Sequence, residues 1–361
     1  MAMTPLQRLI RDEIAARGPM PLGRYMALCL GHPDHGYYMR KVPFGQAGDF
    51  TTAPEISQVF GELIGLWAAD LWLRAGRPAR VHLVELGPGR GTLMADAWRA
   101  TARVPGFHAA ADIHFVEMSP VLRAEQAARL PHARWHADWA SLPADAPLLI
   151  VANEFIDALP IERLVLTDAG WAWQAVDARA DGTLAFVPGH PASADDLAPL
   201  APLLADAATG EVLELCPAGQ AVAADIAGAL ARVGGAALLI DYGHATRARG
   251  DTLQALARHQ FADPLVAPGE ADITAHVDFQ ALVEAAQAAG ARTLGPVTQG
   301  RFLRQLGLDV RTAQLAKANP PRAEALVMAA RRLADPEEMG TLFKVLALVA
   351  PQWPTPLGFD T

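Results

Sequence analysis

The 361-residue chain predicts an α/β fold: a mixed, mostly parallel sheet with an N-terminal helical extension and an inserted antiparallel meander. Three observations carry this. Short apolar runs alternate with helical runs from residue 80 onward. A turn with three alternating glycines, Gly87-Pro88-Gly89-Arg90-Gly91, joins the first apolar run to a helix-like one, the unit against which nucleotide-type ligands dock. Three further strand-like runs, separated by glycine turns, lie between the fourth and fifth strands of the alternating series.

The first 75 residues read as helical. Thr4-Pro5-Leu6-Gln7 has the form of a capping box with proline at the first helical position. A loop rich in Gly, His and Pro covers residues 31–49, and Thr52-Ala53-Pro54-Glu55 marks another helix start. Ile56, Val59, Phe60, Leu63, Ile64, Trp67 and Leu71 then fall on one helical stripe that faces a core. Sheet strands are expected near 81–86, 112–117, 133–137, 146–152 and 235–241, the first four joined by right-handed crossovers. The meander is expected at 161–166, 171–176 and 184–187, turned by Ala169-Gly170 and Asp181-Gly182, with 188–208 as its surface return loop. The tail 246–361 predicts a loop, two or three helices and a late strand at 343–349 that pairs antiparallel at the sheet edge. These elements divide into an extension with a lid loop, 1–78, and a main domain, 79–361, with an inserted subdomain at about 161–210.

Hydrophobic residues make 52% of the chain and charged residues 19%, so it is globular. The formal net charge of −9 counts against non-specific nucleic-acid binding and against an anionic membrane surface. Two cysteines, Cys29 and Cys216, fit a reducing compartment and read as core thiols. No run reaches the length of a membrane span. The stretch 22–30 is interrupted by Gly23 and Arg24, so no apolar signal core is present and the cytoplasm is the expected location.

The glycine turn discriminates among cofactors. The dinucleotide fingerprint wants a glycine at the sixth position, where Thr92 stands, and a phosphate-cradling loop would end in Gly-Lys-Ser/Thr. What remains, acid-x-Gly-x-Gly-x-Gly from Glu85, resembles the first motif of class I S-adenosylmethionine (SAM) methyltransferases. Ligands on such sheets sit beyond the carboxyl ends of the strands. The second strand ends in Glu117, whose carboxylate can accept both hydroxyls of a ribose; Ser119 caps the helix that follows. The third leads to Asp138, either an acceptor for an adenine amine or a turn aspartate. The fourth runs into Asn153 and Glu154, where catalytic groups sit in this architecture and where helix capping is equally served. His32 with His35, and Asp272 with His276, each supply only two donors, short of a closed zinc site, so no metal is expected.

These segments together resemble the MidA-type SAM-dependent methyltransferases, which include mitochondrial assembly factors for respiratory complex I. The matching stretches are Gly31-His-Pro-Asp-His-Gly-Tyr-Tyr38, Gly48-Asp-Phe-Thr-Thr-Ala-Pro-Glu55, Val84-Glu-Leu-Gly-Pro-Gly-Arg-Gly-Thr92 and Asn153-Glu-Phe-Ile-Asp-Ala-Leu-Pro160. Further matches are Ile240-Asp-Tyr-Gly243, Gly250-Asp-Thr-Leu-Gln254, Pro268–Phe279 and Thr298–Leu303. The resemblance implies a class I Rossmann-like fold, SAM as cofactor and arginine methylation of a complex I core subunit during assembly. It implies that Glu85, Gly87, Pro88, Gly89 and Glu117 contact SAM, with Asp138, and that Asp49 and Phe50 close over it. Asn153, Glu154 and Asp157 would then form the catalytic side.

Methyl transfer from a sulfonium is an in-line displacement, in which a protein mainly positions the partners and excludes water. A guanidinium acceptor stays protonated in water. A carboxylate can grip its planar fork, a role expected of Glu154 helped by Asp157 or Glu162. The expected partner is a protein substrate, with no nucleic acid and no membrane insertion; a homodimer is compatible with the chain. Two other classes of function stay open: methylation of a small molecule or nucleic-acid base, and a SAM-binding assembly chaperone that performs no chemistry.

Overall fold

The computed structural model describes residues 3–40 and 51–359. The chain folds into two compact units. One comprises Met1–Lys41, Asp157–Gln220 and Thr246–Asp278; the other comprises Val42–Ile156, Ala221–Ala245 and Phe279–Thr361.

The second unit holds the main sheet. Its strands run in the order Arg292–Thr298, Phe343–Val349, Gly235–His244, Leu148–Asn153, Val81–Leu86, Ala111–Val116, Arg134–His136. The five strands earliest in the chain are mutually parallel, and the last two pair antiparallel at one side. Numbered along the chain, the parallel strands lie 3-2-1-4-5, so the order reverses between Val81–Leu86 and Leu148–Asn153, the switch point at which ligands bind in doubly wound sheets. All six residues of each of these two strands are buried, as sheets covered on both faces require.

The fourth strand begins at Leu148 rather than 146, because Pro147 has no N–H to give the ladder. The late strand Phe343–Val349 is not the edge. Arg292–Thr298, which periodicity did not single out, pairs outside it, and six of its own seven residues are buried, too apolar for an edge position. The helical stripe from Ile56 is also two helices, Ala53–Ile56 and Gln58–Arg74, divided at Ser57, whose hydroxyl caps the second by accepting from the Val59 N–H at 3.2 Å. Gln58–Arg74 is buried on more than one side. A Cβ at Gly61 would stand 2.7 Å from the Leu93 carbonyl oxygen, and one at Gly65 would stand 2.6 Å from the Ala97 Cα. Two glycines one turn apart therefore let this helix lie directly on Thr92–Thr101, the helix that follows the glycine turn.

The other unit carries the meander. Glu162–Thr167, Gly170–Ala178 and Leu184–Pro191 form successive antiparallel pairs. Two strands join them that local pattern did not mark: Val212–Leu215 beside Glu162–Thr167, and the two residues Met20–Pro21 beside the second half of Gly170–Ala178. The expected return loop 188–208 is partly ordered, with a strand to Pro191 and a helix Ala194–Leu197 capped reciprocally by Ser193 and Asp196. Leu164, Leu200 and Leu213 form its buried nucleus, with Trp171 and Trp173 against them. The same unit contains the helices Pro5–Arg17, capped by Thr4 as expected, and Leu22–Gly31. A three-stranded sheet, Gln254–Ala257, Gln260–Ala262 and Asp272–Thr274, stands where only loop was expected. Among the described residues no helix is long and apolar enough to cross a membrane.

Candidate active site at the glycine turn

The turn after Val81–Leu86 depends on backbone that side-chain-bearing residues avoid. Gly87, Gly89 and Gly91 sit at φ of 61°, 52° and 76°. A Cβ on Gly87 would stand 2.7 Å from Cδ2 of Phe155, so Phe155 and the turn are packed as one surface. Gly91 caps the helix Thr92–Thr101 without any side-chain cap, which leaves the first turn open toward an anionic group.

Around this turn lies a cleft lined by Thr52, Pro54, Glu55, Glu85, Gly87, Pro88, Gly89, Arg90, Thr92, Leu93, Asn153 and Glu154. Six of the residues named from sequence thus converge: Glu85, Gly87, Pro88 and Gly89 from the turn, with Asn153 and Glu154 from the strand across the switch point. Asn153 is the last residue of its strand, and Glu154 follows with φ of 50°, a strained value for a residue with a side chain. Its N–H donates to the Ile240 carbonyl at 2.8 Å. Its carboxylate Oε1 accepts from the Ala53 N–H at 2.9 Å and from Asn153 Nδ2 at 3.1 Å. The next two N–H groups, of Phe155 and Ile156, donate to Asp241 Oδ2 at 3.2 and 3.0 Å, so Asp241 fixes the turn that presents Glu154.

Two buried oxygens in this cleft have no hydrogen-bond partner among the described residues: Glu85 Oε2 and Asn153 Oδ1. Burial drives the Glu85 carboxyl well above the usual range, against a single opposing N–H from Met94. Glu55 braces the opposite wall, accepting from Thr92 Oγ1 at 2.5 Å and from Arg90 at 3.4 Å.

Glu117 does end the second strand, and it is buried. Its Oε1 accepts from the Ser119 N–H at 2.7 Å and its Oε2 from Gln126 Nε2 at 3.2 Å. Burial raises its carboxyl above the usual range despite these donors. Gln126 is fully buried and links three parts of the site. Its Nε2 also donates to the Gly89 carbonyl at 2.7 Å, and its Oε1 accepts from Trp135 Nε1 at 2.9 Å. Asp138 caps a short 3₁₀ turn, accepting from the Ser141 N–H at 3.0 Å, and does not line the cleft. Ser119 caps its helix as expected.

Asp157 belongs to the other compact unit, as does Glu162, and neither lines the cleft. There the Asp157 carbonyl accepts from the Ala275 N–H at 3.0 Å. Tyr38 donates to Asp272 Oδ1 at 2.8 Å, and burial, with the carboxylates of Asp272 and Asp157, holds its phenol well above its ordinary range. Glu162 accepts from the Gly23 N–H, and its carboxyl is raised by burial. His32 and His35 stack on one another, and His32 Nδ1 accepts from the Asp34 N–H. Asp49 and Phe50 lie outside the described residues.

Sequence reading missed Glu55, Thr92, Asp241 and Gln126. The first three lie inside or beside the motifs quoted above, and adjacency was the signal available. Gln126 lies mid-helix and carries no local mark.

A doubly wound sheet with this turn at its switch point and a polar strand end facing it defines a class I methyltransferase architecture. The chain belongs to the family described as "Putative S-adenosyl-L-methionine-dependent methyltransferase", whose model matches residues 63–297. It is 36% identical to "Protein arginine methyltransferase NDUFAF7, mitochondrial" of Mus musculus, with 97% of this chain and 85% of the relative covered. To the Drosophila melanogaster homolog of that protein, also named mitochondrial, it is 37% identical, with 95% and 84% covered. Among solved structures it resembles a Burkholderia thailandensis protein bound to S-adenosyl-homocysteine, with a TM-score of 0.86, 32% identity, and 99% and 92% of the two chains covered. The relatives' names overturn the expectation of a cytoplasmic protein. Two reduced thiols report a redox state and carry no address.

Proposed function

We propose that the chain methylates arginine side chains of a protein, using SAM as donor. The reading rests on one observation: Glu85 Oε2 and Asn153 Oδ1 are buried oxygens without a hydrogen-bond partner among the described residues, one on each side of the switch point in one cleft. Buried polar atoms are normally paired, and a polar ligand spanning this cleft would satisfy both. The glycine turn, with positive φ at Gly87, Gly89 and Gly91 and an uncapped helix start, fits the amino-acid end of SAM. Glu117 and Gln126 would bind the ribose side. When bound, SAM supplies a methyl group activated by its sulfonium.

The chain's own residues then have to position a guanidinium. Glu154 is strained, fixed by Ala53 and Asn153, and carries the negative charge that a planar cation needs. Asn153 Oδ1 accepts one further N–H of the fork. Together they orient one nitrogen in line with the methyl, the principal task of a methyltransferase site. Arginine is the acceptor because the relatives similar over most of the chain are named for it. The family resemblance in the sequence points to a core subunit of respiratory complex I as the target.

Glu154→Gln should abolish methyl transfer to protein while leaving SAM binding nearly intact by calorimetry. Loss of SAM binding would move Glu154 into the cofactor site and remove it from the acceptor. Labelled SAM incubated with extract of an assembly-deficient strain, followed by mapping of the label, identifies the target. A label on a base or small molecule would replace arginine as the acceptor, and full complex I assembly with Glu154→Gln would favour a chaperone. The net charge of −9 counts against the nucleic-acid reading.

A further inference from the structure

At the amino-terminal end of the first two main strands, away from the glycine turn, three side chains share one face of the sheet. His82 stands opposite Asp112 in register, and His114 lies two residues beyond Asp112. His82 and His114 are fully buried, and their rings meet edge to face with centroids 4.7 Å apart. One ligand atom from each of His82, Asp112 and His114 lies within 4.8 Å of the others.

The hydrogen bonds show which ring nitrogens are engaged and which are left over. Asp145 Oδ1 stands 2.8 Å from His82 Nε2, so the proton is on Nε2 and the lone pair on Nδ1. His114 Nδ1 stands 2.9 Å from His136 Nε2. With Nδ1 engaged by His136, Nε2 is the His114 nitrogen left over. His82 Nδ1 and His114 Nε2 are both buried with no partner among the described residues.

Two imidazole lone pairs beside a carboxylate are the donor set of a borderline-soft divalent ion. We propose that His82 Nδ1, His114 Nε2 and the Asp112 carboxylate bind one divalent transition-metal ion, with zinc the best match. Tetrahedral zinc needs donors roughly 3.3 Å apart, so binding would draw the three side chains together. Asp145 behind His82, and His136 behind His114, are the outer groups that orient metal-binding imidazoles. Asp112 Oδ2 is held by Arg80 Nε at 2.8 Å, whereas Oδ1 faces Arg134 at a looser 3.6 Å and is the oxygen offered. The ion would tie together the two strands that end in the glycine turn and in Glu117. The inference is independent of the proposed reaction.

The test is titration of the full chain with zinc against a chromophoric chelator, alongside a thermal unfolding scan. Wild type should take one equivalent at micromolar affinity or tighter and unfold at a higher temperature with zinc. His114→Asn should lose that equivalent, and a His32→Ala, His35→Ala double variant should keep it. No zinc drawn from the chelator by folded wild type would overturn the proposal, as would loss of the equivalent in the His32, His35 variant. If His114→Asn does not fold, Asp112→Asn decides: a tenfold or greater weakening supports the site, and unchanged affinity refutes it.

Discussion

Gln126 Nε2 donates to the carbonyl of Gly89 at 2.7 Å, across 37 residues of chain. One amide therefore sets both the shape of the glycine turn and, through Glu117, the end of the neighbouring strand. Gln126→Leu removes these donors and leaves the Trp135 N–H without its acceptor. Each unmet buried group costs about 1–3 kcal/mol. The expected outcome is a tenfold or larger rise in the dissociation constant for SAM, with kcat at saturating SAM changed far less. An equal fall in kcat with unchanged SAM affinity would show that Gln126 does not shape the cofactor side.

Gly87 tolerates no side chain on two counts, its φ of 61° and the ring of Phe155 at 2.7 Å from a built Cβ. Backbone strain of this kind costs about 1–3 kcal/mol. Gly87→Ala should weaken SAM binding at least tenfold by calorimetry, and Phe155→Leu added to it should recover only part, since the backbone term persists. Full recovery would assign the whole effect to the ring.

The helix Gln58–Arg74 supports the turn through Gly61 and Gly65. Gly65→Val forces it away from Ala97. Overpacking of this kind costs roughly 1–3 kcal/mol, read as a lower urea midpoint with an unchanged slope. An unaltered midpoint would mean the two helices can part freely.

Burial holds the Glu85 carboxyl well above the usual carboxylate range. As pH rises past about 4.3 the unfolded chain releases this proton while the folded chain keeps it. The stability due to Glu85 is therefore present in full below that pH and is lost as pH climbs through the folded value. Glu85→Gln has no such proton, so it should gain stability relative to wild type as pH rises from 4 to 8 in urea titrations. Parallel curves for the two proteins would show that the folded carboxyl is not shifted.

Burial also pushes the Cys29 thiol up to about 12. At pH 8 it stays protonated, and only the thiolate reacts readily. Thiol reagents should modify Cys29 only when denaturant is added, whereas the half-buried Cys216 is the candidate for modification in the native chain. Labelling of Cys29 in the folded protein, located by peptide mapping, would contradict its burial.

What the sequence determined by itself was local. The apolar runs at Val81–Leu86 and Leu148–Asn153, the glycines between strand and helix, the Thr4 cap and the meander strands each declare themselves within a window of about ten residues, because burial on both faces, positive φ and capping each demand particular residue types. Sheet position followed other forces. Phe343–Val349 is as apolar as any strand here, yet only its partners on both sides make it interior, and Arg292–Thr298 becomes the edge by pairing with a segment some 50 residues away. The same holds for chemistry. The position of Glu154 at the cleft was legible from its place after an apolar strand. Gln126, Asp241 and the His82, Asp112 and His114 group were not, because their roles arise from chain segments that meet only when the sheet forms. Hydrogen-bond partners distant in sequence leave no periodic trace, and tertiary structure alone decides which buried polar groups are satisfied and which keep a lone pair for something else.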